Sequence, residues 1–97
     1  MEGFDANELD DVIHGRLRLG IMAYLASISP ASFTDLAKKL ETTNGNLSTH
    51  LRKLEEAGYI VQNKGYKGRR PHTAVEITND GRDAWIDYLD TIKRLLE

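Results

Sequence analysis

At Gly58 the hydrophobic pattern of this chain changes from the three-and-four spacing of a helix to β-branched and aromatic residues, and that change constrains the fold most. Before it, Leu47, Leu51 and Leu54 mark one stripe of a short helix for which Thr43 is the N-cap, and Gly58 itself suits a left-handed C-cap. After it, Tyr59-Ile60-Val61 opens a hairpin, with strands near 59–63 and 73–77 joined by a loop that contains Gly65, Gly68 and Pro71.

The flanking segments read as helices. Upstream, Ser32 is followed three residues later by Asp35, an arrangement that caps a helix whose inner stripe is Phe33, Leu36, Ala37 and Leu40. The polar run Glu41-Thr42-Thr43-Asn44 makes a short turn into the helix with the three leucines. Further upstream, Leu9, Val12, Ile13, Leu17, Ile21, Tyr24, Leu25 and Ile28 predict a helix over 8–28, with Gly15 as a point where it can divide and Ser29-Pro30 as its end. Downstream, Thr78 can cap a final helix bearing Trp85, Tyr88, Leu89, Ile92, Leu95 and Leu96 at coiled-coil spacing. The fold class is therefore mainly α with a small β-hairpin: a winged helix-turn-helix in one domain, 1–97, with 78–97 as a C-terminal dimerisation helix. A chain of 97 residues builds one core and little more.

Charge is unevenly spread. The formal net charge is -2, yet Asn44 to Val75 holds Arg52, Lys53, Lys64, Lys67, Arg69 and Arg70 against Glu55 and Glu56, a local balance of +4 that leaves -6 elsewhere. Glu2, Asp5, Glu8, Asp10 and Asp11 all precede the first lysine or arginine. Such a distribution orients a protein on a polyanion. Cysteine is absent, which excludes disulfides, thiolate metal sites and thiol redox chemistry. His14, His50 and His72 show no metal-ligand spacing, and no nucleophile is paired with a base, so no catalytic residue, metal or cofactor is expected. No basic segment precedes an apolar stretch at the start of the chain and no run approaches a membrane span, so the expected location is the cytoplasm, without membrane contact.

Two short helices, a tight turn and a hairpin with a basic tip together form a DNA reader with a wing. With the leucines inward, helical rotation sets Gly45, Thr49, Arg52 and Glu56 outward, flanked by Asn46, Ser48 and Lys53. Asparagine and arginine suit base edges in the major groove, and small residues allow close approach. The loop 64–72 concentrates lysine and arginine, which suit phosphates or a narrow minor groove. A solvated helix face and a flexible basic loop share these compositions, so it is their joint occurrence that points to DNA.

The stretch Gly45 to Ile60, GNLSTHLRKLEEAGYI, resembles the recognition-helix signature of winged-helix regulators of the MarR and ArsR type. Arg16 to Met22 resembles the first-helix pattern, Ser32 to Ala37 the second, and Ile77 to Arg82 the hairpin exit. The resemblance implies a sequence-specific transcriptional regulator of double-stranded DNA, with a recognition helix over about 43–57. Asn46, Ser48, Thr49, Arg52 and Lys53 would read the major groove, and Lys67, Arg69 and Arg70 would be wing contacts. The chain departs from metal-sensing members in lacking their cysteine and histidine clusters, and from longer members in lacking a helical scaffold for an effector pocket, so no small-molecule effector is identified. Trp85, Tyr88, Leu89, Ile92, Leu95 and Leu96 form a broad apolar set suited to a homodimer interface; a lid over the first helix would use part of the same set. The alternative function, a winged-helix module for protein–protein interaction, would show an exposed apolar patch on the third helix or wing.

Overall fold

The computed structural model describes residues 5–97; Glu2, counted above among the N-terminal acids, lies outside them. Helix α1 spans Arg16–Ser27, shorter than the helix expected over 8–28, because Gly15 is its N-cap in extended geometry. Upstream of Gly15 the chain makes a 3-10 turn at Ala6–Glu8 and then a turn in which Asp10 Oδ1 accepts from the Val12 and Ile13 N–H groups at 2.8 and 3.3 Å. An aspartate that binds backbone two and three residues ahead competes with the helical ladder. Ile13 is nonetheless fully buried, so the periodicity marked core contact without marking a helix.

After α1 the chain turns through Ser29-Pro30 into a two-residue strand, β1 (Ala31–Ser32), which the sequence reading lacked. Helix α2 (Phe33–Lys39) starts at Ser32, whose Oγ accepts from the Asp35 N–H at 3.0 Å. Helix α3 (Asn44–Glu56) is capped by Thr43, whose Oγ1 accepts from the Asn46 N–H at 3.1 Å. It ends with Gly58 at φ 82, where the Tyr59 and Gly58 N–H groups donate to the Leu54 and Glu55 carbonyls at 3.0 and 2.9 Å. This paired closure satisfies two of the free carbonyls of the last turn and requires the left-handed residue that glycine adopts without strain.

Strands β2 (Ile60–Lys67) and β3 (Arg70–Ile77) are longer than expected and join β1 in an antiparallel sheet of order β1-β3-β2. The loop expected to contain Gly65, Gly68 and Pro71 contracts to Gly68 and Arg69 between the paired Lys67 and Arg70. Gly68, at φ 67, supplies the positive dihedral that a tight hairpin needs at its first turn position. Gly65 and Pro71 are strand residues. Pro71 is tolerated because hydrogen bonding alternates along the ladder: its nitrogen points away from β2, and β1 reaches only Ala74 and Val75.

Helix α4 (Asn79–Leu96) begins at Thr78, whose Oγ1 accepts from the Gly81 N–H at 2.9 Å. Gly81 lies so close to the root of β2 that a Cβ there would stand 2.1 Å from the Tyr59 carbonyl oxygen. The core joins Ile13, Ile21, Met22, Leu25, Leu36, Leu47, Leu51, Leu54, Ile60 and Val75 with Tyr88 of α4. Burial of each large aliphatic side chain contributes about 1.5–3 kcal/mol, so the three leucines of α3 fix its rotation firmly.

Candidate nucleic-acid interface

With Leu47, Leu51 and Leu54 fully buried, the opposite face of α3 is turned to solvent, and Asn46, Ser48, Thr49, Arg52 and Lys53 are all exposed. The helix start is open, with nothing within 4 Å of a Cβ at Gly45. The Thr49 hydroxyl donates to the Gly45 carbonyl at 3.1 Å, which leaves its oxygen as an outward acceptor. His50 faces the other way. Arg18 Nη1 approaches His50 Nδ1 at 3.0 Å, and because a guanidinium only donates, Nδ1 holds the lone pair and Nε2 the proton. Burial, then the charges of Arg18 and Lys53, lower the pKa of His50. Arg18 also donates to the Val12 carbonyl at 2.5 Å, which ties the N-terminal turn to α1.

The wing is held against α3 by Glu55, whose carboxylate accepts from the Gln62 backbone N–H at 3.0 Å and the Gln62 side-chain amide at 3.4 Å. Strand alternation from the buried Ile60 sets Gln62, Lys64 and Tyr66 on the core-facing side, opposite Val75, Thr73 and Pro71. An open groove between reader helix and wing is lined by Phe33, Ser48, Arg52, Glu55, Gln62, Lys64 and Thr73. Lys67 and Arg70 fall on the other side of the hairpin, next to the turn that carries Arg69. All three are exposed, and none makes an ion pair among the described residues. In sequence Lys64 counts among the cations of the wing, but contacts are expected only of Lys67, Arg69 and Arg70, and the uncharged Gln62 gives no signal; counting by twos from Ile60 places both Gln62 and Lys64 on the groove side.

Away from the reader helix, the Tyr59 hydroxyl donates to Asp10 Oδ2 at 2.5 Å, and burial, reinforced by that carboxylate, pushes its pKa up to about 12. Glu8 pairs with Arg94 of α4. On α4 itself the expected interface residues divide. Tyr88 is buried in the core, stacked on Trp85 with ring centres 5.9 Å apart and hydrogen bonded to His14 Nδ1 at 2.7 Å, so it is withdrawn from any outer face. Trp85 and Ile92 are partly buried against the same core. Leu89 and Leu96 point outward at 45% and 81% exposure, Leu95 is half-buried, and Ile86, overlooked in the sequence, joins the outer set at 55%. Among the described residues no helix is long and apolar enough to cross a membrane, and no three metal-ligating side chains gather.

A family model described as a winged helix DNA-binding domain matches residues 17–96. An uncharacterized protein of Methanocaldococcus jannaschii is 37% identical over 84 residues, covering 87% of this chain and 91% of its own. The structure of a transcriptional regulator homologue from Pyrococcus horikoshii superposes with a TM-score of 0.81 at 35% identity, over 88% of this chain and 84% of that one. A Staphylococcus aureus MepR–DNA complex shares the fold at a TM-score of 0.69 and 17% identity, over 93% of this chain and 69% of that one.

Proposed function

The chain belongs to the winged helix DNA-binding domain family, and from that premise we propose that it is a homodimeric, sequence-specific transcriptional regulator acting in the cytoplasm. One observation carries the reading: the outer face of α3 is entirely polar or charged and shares a groove with the basic wing, while its three leucines are spent in the core. Helix α3 lies in the major groove. The Asn46 amide, which donates and accepts, suits an adenine edge, the Arg52 guanidinium, which only donates, suits the two acceptors of a guanine edge, and Ser48, Thr49 and Lys53 hold the helix on bases and phosphates. The wing, 64–72, lies on the backbone or minor groove through Lys67, Arg69 and Arg70.

A second copy docks through α4, where Ile86, Leu89, Leu95 and Leu96 offer apolar surface to solvent and Trp85 and Ile92 lie beneath it. Two-fold symmetry then presents two reader helices to half-sites about 34 Å apart, one turn of the duplex. The protein–protein reading finds no support on α3, whose leucines are all buried. Footprinting on the DNA upstream of the chain's own gene tests the proposal. The expected result is a protected pseudo-palindrome with half-sites a helical turn apart; absence of protection at concentrations where the protein is dimeric overturns it.

A further inference from the structure

Tyr66 is the most exposed aromatic side chain among the described residues, at 77%, and it stands on the same face of the wing as Lys64, the cation that lines the groove shared with Arg52 and Ser48. Three features prepare this face for a ligand. Pro71 is paired directly across from Tyr66, at a register position where facing side chains stand close and no ladder hydrogen bond is made. Thr73, opposite Lys64, adds a hydroxyl to the strip. Glu55, the acid lining the groove, has each carboxylate oxygen occupied by a Gln62 donor, so it anchors the wing instead of presenting a bare charge to an approaching anion.

We propose that Lys64 and Tyr66 form a DNA-contacting strip on the inner face of the wing, seated on the sugar–phosphate backbone between the groove read by α3 and the groove reached by the tip. Lys64 neutralises a phosphate. Tyr66 lays its ring on a deoxyribose and donates its hydroxyl to a phosphate oxygen, a contact that is independent of base identity and carries no charge. This strip rests on the DNA-binding reading and adds to the tip contacts of Lys67, Arg69 and Arg70. It also divides the wing into a charged part and an uncharged part, which respond differently to salt.

The test uses the full chain and a labelled 30-base-pair duplex selected by the wild-type protein from a random library, with affinities measured at several salt concentrations. Lys64→Ala is expected to flatten the slope of log affinity against log salt by about 0.9 per protomer. Tyr66→Ala is expected to weaken binding about fivefold to tenfold at every salt concentration with the slope unchanged, the scale of one net hydrogen bond and a partly covered ring. Tyr66→Phe should recover part of that loss. Asn63→Ala, on the outer face of the wing, should bind as the wild type does. Melting temperatures should be alike in all four variants, because each side chain is exposed. Wild-type affinity in Tyr66→Ala, or an unchanged slope in Lys64→Ala, overturns the strip while leaving the DNA-binding reading intact. Failure of the wild-type chain to enrich any duplex overturns both.

Discussion

Replacing Lys67, Arg69 and Arg70 together with alanine removes the cations assigned to the tip of the wing. Each phosphate-neutralising cation contributes about 0.9 to the slope of log affinity against log salt, so three per protomer give about 2.7, and a dimer about 5.4. Between 50 and 200 mM salt the logarithm of concentration changes by about 0.6, so the wild type should lose about three decades of affinity more than the variant over that interval. The fold should not respond. The three side chains are exposed and make no hydrogen bond or ion pair among the described residues, and the Gly68 turn that closes the hairpin is retained. Exposed charges of this kind rarely contribute more than about a few tenths of a kcal/mol to stability. Anisotropy titrations at four or more salt concentrations, with a thermal melt as control, decide the matter. An unchanged slope in a folded variant would mean that the tip is held away from the duplex, and the assignment of all three residues would be wrong.

Arg52→Ala should weaken binding to the selected duplex by about 1–3 kcal/mol and a scrambled duplex by less; equal losses in a gel-shift comparison would make Arg52 a phosphate contact. Leu89→Glu puts a charge on the outward face of α4 and should shift the protein toward monomer in sedimentation with its melting temperature kept; a wild type that is already monomeric defeats the dimer reading. His50, with its pKa lowered first by burial and then by Arg18, should resist protonation in the folded chain. Its contribution is present above its ordinary value near 6.5 and is lost as pH falls below that value, and Arg18→Gln should move the NMR titration of His50 upward, an unmoved midpoint arguing against the contact.

Local chemistry was legible wherever one residue answers to one backbone requirement. Thr43, Ser32 and Thr78 each accept the N–H that their position before a helix predicts, and Gly58 has the positive φ expected of it. The winged-helix regulator resemblance carried by Gly45 to Ile60 is borne out by the family match over 17–96. Errors arose where two readings shared one pattern. Leu9, Val12 and Ile13 are spaced like a helix and do meet the core, but Asp10 takes the N–H groups that a helix would use. In the wing, glycine and proline suggested a long loop, whereas Gly68 alone serves the turn and Pro71 sits where no partner strand reaches its nitrogen.

The remaining features were invisible because each depends on partners far apart in the chain. His14 meets Tyr88 across 74 positions, Tyr59 meets Asp10 across 49, and Arg18 meets His50 across 32. No local period encodes such pairs, because each joins side chains on elements distant in the chain. Together they make the N-terminal turn part of the fold: Asp10 is held at the wing root, Val12 by Arg18, and His14 by α4. They also decide how dimerisation must be tested. Removing α4 would take Tyr88 out of the core and strand His14 along with it, and loss of DNA binding would then report unfolding as readily as loss of the second subunit. Leu89 lies outside the core cluster and is 45% exposed, so a charge there perturbs the proposed interface and leaves the tethers in place. A folded Leu89→Glu monomer that still contacts DNA, with affinity reduced by the loss of a linked half-site, would separate assembly from reading in a way that truncation of α4 does not.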